Sequence, residues 1–383
     1  MKIAIFSDNF YPELSGISDS IITTGRLLAE RGHQIHFFAP RYPQTNQELS
    51  GENIYVQRLW SFPYPGPTGQ SRVVIPAGRT LLAVHKIKPD VLHTHLFFGV
   101  GFEALIATRV LNIPLVGTNH TPIGEFIKYG PIRGAKFENW ALKMVAWYYN
   151  HCAFVSAPSR GAIDELEAYG FKKSAEVISN PIRTQIFTPV NKKMKQNLKQ
   201  KFSLSKNTVL YTGRLSEEKH IDVILRALQL IVQKIPGVTL VITGRGTCEG
   251  DLKKLARDLG LTDRVKFFGI LDLKSLVELY QAADAFAIAS TAETQSISLM
   301  QAMACGLPVV GVRARGLAEY IKPENGFLVE PGDYKTMADK LLEMLFNETL
   351  KDAMGKSATI FASQFSPQVI AQKWEEIYKK YSN

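Results

Sequence analysis

Arg214 and Lys219 share the short loop YTGRLSEEKHID, and two cations so close together are what a diphosphate needs for charge-assisted hydrogen bonds. A solvated charged turn has the same composition, so the loop alone leaves both uses open. Glu293, in STAETQSISLMQAMACGLPVVGV, sits where a helix begins and can accept from the hydroxyls of a sugar-like ligand, while the free amides around Thr294, Gln295, Ser296 and Ile297 offer an anion site. His120 follows an apolar run in TNHTPIGEF, which puts a polar group at the rim of a sheet, although lone histidines are commonly structural. In DNFYPELSGIS, Gly16 precedes a helix whose N-terminus can receive a phosphate or merely turn the chain. The spacing is not GxGxxG, which weighs against a dinucleotide dehydrogenase.

Metal chemistry finds little support. His93 and His95 form an HTH at the end of a strand, and Cys152, Cys248 and Cys305 lie far apart with no CxxC or Cys/His ligand spacing. The expectation is no metal, no disulfide framework, and cysteines used as buried filler.

The elements that must position these residues alternate strand and helix. A strand over Lys2–Ser7, a helix over about Ser18–Arg31, a stop at Gly32 and a strand over Gln34–Ala39 make a βαβ opening, hence a parallel sheet. Runs at Val91–His95, Leu115–Thr118 and Ala153–Ala157 continue it. After a polar stretch with five lysines and two prolines, Pro181–Phe202, read as an interdomain connection with a short exposed helix, the alternation restarts. Thr208–Thr212, Thr239–Thr243, Val265–Phe268, Ala285–Ala289 and Val309–Val312 read as strands. With 383 residues, 45% hydrophobic and 21% charged, the chain fits two α/β domains, over 1–183 and 184–366. The terminal helix, about 367–381, is expected to pack an aromatic-rich face back on the first. Each candidate residue then falls in a loop beyond the carboxyl end of a strand, where open parallel sheets bind ligands.

No signal peptide or span of about 18 apolar residues is evident, so a cytoplasmic protein is expected, peripheral at most on the inner face of the membrane. A net charge of +10 fits an anionic partner: a nucleotide diphosphate, a membrane surface or nucleic acid. Nucleic acid lacks any accompanying recognition motif.

The loops together resemble glycosyltransferase family 4 with the GT-B fold, two Rossmann-like doubly wound domains facing across a cleft. The matching segments run in order: the SG near residue 16, NHT at 119–121, PSRGAIDEL, ISNPIRTQIFTP, TGRLSEEKHID, TGRG at 243–246, VKFFG, the E-x7-E-like region at 293–301, and ENGFLVEPGD. The resemblance implies retaining hexosyl transfer from a nucleotide sugar. Arg214 and Lys219 would grip the donor diphosphate and Glu293 the sugar hydroxyls; Gly16 would approach the phosphates and His120 lie near the reacting sugar. Gly244 and Arg245 fall in the donor turn, and Gly269, Ile270 and Leu271 match the loop that reads the base. In metal-dependent transferases a DxD pair holds the ion, and none occurs here. The position expected to hold the ribose as a second glutamate is Gln301, which keeps an acceptor but loses its charge. Ser296 stands where glycine is common.

For the acceptor, IKYGPIRGAKFENWALKMVAWYYN mixes Lys128, Arg133, Lys136 and Lys143 with Tyr129, Trp140 and further aromatics, suiting either an anionic bilayer surface or an ordinary amphipathic helix. AETQ at 292–295 resembles the variant of family members that glycosylate diacylglycerol. These features lead to UDP-glucose as donor and a lipid as acceptor. GDP-mannose, a soluble or polysaccharide acceptor, and a low-turnover nucleotide-sugar-binding protein stay open.

Overall fold

The computed structural model describes residues 1–13, 15–43, 49–63, 72–120, 124 and 134–382. The chain forms two compact units, Met1–Pro181 with Pro367–Asn383, and Ile182–Ser366.

The first unit contains β1 Lys2–Phe6, β2 Gln34–Pro40, β3 Ile54–Leu59, β4 Phe62–Pro63, β5 Arg72–Val73, β6 Val91–Thr94, β7 Leu115–Thr118, β8 Phe154–Ala157 and β9 Ala175–Val177. Seven of them make a sheet in the order β3-β2-β1-β6-β7-β8-β9, while β4 and β5 pair as a small antiparallel hairpin. Every ladder of the large sheet is parallel. Strands β6, β7 and β8 are buried at every residue, which explains their reading as short, mainly apolar runs. The edge strands β3 and β9 were not expected: β3 is only half-buried and β9 is a largely exposed AEV.

The second unit contains β10 Thr208–Thr212, β11 Thr239–Thr243, β12 Val265–Gly269, β13 Ala285–Ile288, β14 Val309–Val312 and β15 Gly326–Val329, in the order β12-β11-β10-β13-β14-β15, again all parallel. Strand order reverses beside β1 in one sheet and beside β10 in the other, and loops leaving strands at such a point diverge to opposite faces and open a crevice.

The terminal helix Pro367–Tyr381 belongs to the first unit, where Ile370, Trp374 and Tyr378 are buried in the cluster built on Ile3, Ile5, Val91 and Phe154. Arg31 secures it with a 2.9 Å ion pair to Glu375. The lysine-rich helix Lys192–Lys201 is short and largely exposed, as expected, but it is anchored on one side. Leu198 is buried, and the buried Asp284 carboxylate takes Lys195 Nζ at 3.0 Å, Lys199 Nζ, and the Thr208 amide at 2.8 Å, so the helix is part of the second unit. Of the cysteines, Cys152 and Cys305 are buried but Cys248 is only half-buried.

Candidate active site

Strands β10 and β13 are neighbours at the reversal of the second sheet, and the loops that leave them are tied together. The 3-10 turn Glu217–Lys219 sets Lys219 so that Nζ donates to Glu293 Oε1 at 2.7 Å, both side chains being 14% exposed. The Ser290 hydroxyl and the Thr291 amide both donate to the Glu218 carbonyl at 3.3 Å, and His220 Nε2 lies 3.2 Å from the Thr291 hydroxyl. Arg214 pairs with Glu218 at 3.4 Å, its carbonyl accepting from the Tyr211 hydroxyl at 3.1 Å. Burial drives the Glu293 carboxyl upward, but Lys219, the Ser290 hydroxyl and Arg214 outweigh it and hold the group below its usual pKa. The result is an ionised carboxylate bonded to one cation with a second nearby, at the carboxyl end of a parallel sheet.

The next two loops close on this one through backbone contacts only glycine permits. Gly244 has φ +125°, and a Cβ there would sit 1.9 Å from the Gly213 carbonyl oxygen; one on Gly246 would sit 2.2 Å from that of Leu215. The Gly244 amide donates to the Gly269 carbonyl at 2.7 Å, so Gly244, Arg245 and Gly269 form one surface beside Arg214, with Ile270 exposed at its edge.

Glu293 does not begin the helix, as expected from sequence. The helix is Ile297–Ala304, capped by Ser296, whose hydroxyl accepts from the Leu299 amide at 3.3 Å, and Glu293 lies in the preceding loop. Thr294, Gln295, Ser296 and Ile297 therefore lead into its N-terminus. Gly316, unnoticed in the sequence, supports them: its amide donates to the Glu293 carbonyl at 3.0 Å, and a Cβ there would meet the Thr294 oxygen at 1.9 Å. Gln301 faces Tyr280, whose hydroxyl stands 3.2 Å from Gln301 Oε1 and 3.1 Å from the Ser298 carbonyl and also bonds the Thr212 hydroxyl.

In the first unit Gly16 is the exposed first residue of the helix Gly16–Glu30, after a Ser15 cap that forms a capping box with Ser18. Asp8, after β1, accepts from the amides of Val100 at 3.0 Å and Gly101 at 3.4 Å. Burial pushes its pKa up to about 7 against those bonds. His120 is buried beyond β7, its Nε2 2.9 Å from His95 Nδ1. That partnership depends on the β6–β7 register and is invisible in the sequence. On the helix Ala135–Tyr149, Lys136, Trp140, Lys143 and Trp147 are all exposed, at spacings that put them on one face, while Leu142, Val145 and Tyr149 are buried. Lys128, Tyr129 and Arg133 lie outside the described residues.

Comparison with known proteins agrees with this architecture. Residues 193–361 match the family Glycosyl transferases group 1, and residues 14–186 match Glycosyltransferase Family 4. The alpha-monoglucosyldiacylglycerol synthase of Streptococcus pneumoniae is 28% identical over 315 residues, 81% of this chain and 70% of that one. The enzyme of the same name from Acholeplasma laidlawii is 24% identical over 99% of this chain and 96% of its own. Among solved structures, Anabaena HepE in complex with UDP superposes with a TM-score of 0.82 at 23% identity, covering 99% of this chain and 100% of that one. Fold and matched domains together define a GT-B glycosyltransferase. The chain belongs to glycosyltransferase family 4 and is related to glucosyl-diacylglycerol synthases.

Proposed function

We propose that this glycosyltransferase moves glucose from UDP-glucose to the hydroxyl of a diacylglycerol-type lipid at an anionic membrane surface, with retention at the anomeric carbon. The observation that carries the reading is the Lys219–Glu293 pair, with Arg214 close by, at the strand-order reversal of the second unit. Its second support is the name of the relatives from S. pneumoniae and A. laidlawii.

In this reading Arg214 and Lys219 bind the pyrophosphate, the loop Gly244–Arg245 carries it, Gly269–Leu271 meets the base, and Gln301 meets the ribose. Glu293 accepts from the glucose hydroxyls, a role its ionised state suits. Gly16 approaches the phosphates and His120 the reacting sugar. The bond from the anomeric carbon to the β-phosphate oxygen breaks while the acceptor oxygen bonds on the same face, and the acceptor proton passes to the departing phosphate. Cationic side chains in place before the reaction stabilise the charge that builds there, the kind of preorganised term that accounts for much enzymatic acceleration. No metal or other cofactor enters the scheme. Lys136, Trp140, Lys143 and Trp147 offer cations and interfacial aromatics on one helical face, the arrangement that binds anionic bilayers.

The test is ligand stabilisation. UDP and UDP-glucose at about 100 times their Kd raise unfolding free energy by about 2.7 kcal/mol, a clear rise in Tm. The Arg214→Ala variant shows little rise. Equal rises in the variant and the wild type would remove Arg214 from the donor site.

A further inference from the structure

His93, His95 and His120 form a connected column at the loop-bearing ends of β6 and β7. The rings of His95 and His120 are nearly parallel, at 16° and 5.2 Å between centroids, with Nδ1 of the first 2.9 Å from Nε2 of the second. Behind them the His93 ring lies 4.0 Å from that of His95 and is held at both nitrogens, Nδ1 by the Tyr378 hydroxyl at 2.7 Å and Nε2 by the Thr118 hydroxyl at 2.8 Å. Thr118 passes the chain to Ser156 at 2.8 Å. All three imidazoles are buried, which lowers their pKa values, that of His120 to about 3, so the column is uncharged at neutral pH.

A hydrogen bond between two neutral imidazoles needs one N–H and one lone pair. Nε2 of His120 is engaged with His95, so in the function proposed above the nitrogen that would face the reacting sugar is Nδ1. Its character follows from the partner: when His95 donates, His120 carries its proton on Nδ1 and offers a donor; when His95 accepts, Nδ1 offers a lone pair. We propose that His95 is a positioning residue that holds His120 in one orientation and one tautomer through this bond, with Tyr378 of the terminal helix steadying His95 through His93. The inference rests on His120 facing the reacting sugar, as in the function proposed above.

The test compares His95→Leu with His95→Asn, since the Asn amide reaches roughly where Nδ1 stands and leucine offers nothing there. The Leu variant is expected to lose about 10- to 100-fold in kcat with KM for UDP-glucose nearly unchanged, and the Asn variant to stay within about 3-fold of wild type. Full activity in the Leu variant, or an Asn variant as poor as Leu while melting at the wild-type temperature, would overturn the proposal. A second readout needs no variant: 15N shifts of the His120 ring should report a single tautomer, and a mixture would refute it. Should the wild type fail to transfer any sugar, the proposed function falls while the shifts still decide the tautomer question.

Discussion

Lys219 and Glu293 are each nearly buried and each the other's main counter-charge. Removing one partner of such a pair leaves an uncompensated charge and costs about 3–5 kcal/mol. In wild type the Glu293 carboxyl is held low, so its stabilising contribution is present above the ordinary carboxylate pKa and fades as pH falls through the folded value. In Lys219→Met the opposing effect, burial, prevails and raises the folded pKa, so that variant loses stability as pH rises through it. Both changes act in the same direction. The stability gap between Lys219→Met and wild type should be widest near pH 8 and narrow toward pH 4.5 in urea titrations; a gap that widens in acid would contradict the pairing. The two charges were legible in the sequence because their loops flank apolar runs. Their direct bond, and that of His95 to His120, was not, since each joins side chains 74 and 25 positions apart through strand register.

At the element scale, the central strands were readable because burial on both faces favours apolar residues, as in AFAI, and admits polar ones only where they are hydrogen-bonded, as His93 in VLHT and Ser156 in FVSA are. Edges escape that demand. β3, β9 and β15 carry exposed or half-buried positions and so lack a clear signature. The lysines of Lys192–Lys201 read correctly as an exposed helix, but the anchoring of Lys195 and Lys199 on Asp284, more than 80 positions away, leaves no local signature. That carboxylate serves two lysines and the first amide of β10. Asp284→Ala should lower the stability of the second unit by about 3 kcal/mol and Asp284→Asn, which keeps an acceptor for the amide, by about half as much. A shift in urea midpoint with unchanged slope would confirm it; an unaltered midpoint for Asp284→Ala would show the helix to be a loose connection after all.

At the scale of the whole molecule, a net charge of +10 and a helix face bearing Lys136, Trp140, Lys143 and Trp147 lead to one expectation. Among the described residues no helix is long and apolar enough to cross a membrane, so attachment through this face would be at the surface. Sedimentation with phosphatidylglycerol vesicles should show binding that weakens steeply as salt rises from 0.1 M to 1 M and the screening length shrinks from about 10 Å to about 3 Å. Each of Lys136→Glu and Lys143→Glu should weaken it by at least about 5-fold, the equivalent of about 1 kcal/mol per lysine. Salt-independent binding, or variants that bind as wild type does, would return this face to ordinary solvent exposure. The cations of 128–133 that the sequence places beside this helix belong to the same expectation, but they lie outside the described residues.

The most direct measurement is transfer itself: the protein incubated with radiolabelled UDP-glucose and vesicles of phosphatidylglycerol containing diacylglycerol, followed by organic extraction. The account predicts label in the lipid phase, matched mole for mole by released UDP and lost in Lys219→Met. Label that stays in the aqueous phase, with no UDP released in the presence of diacylglycerol, would contradict it.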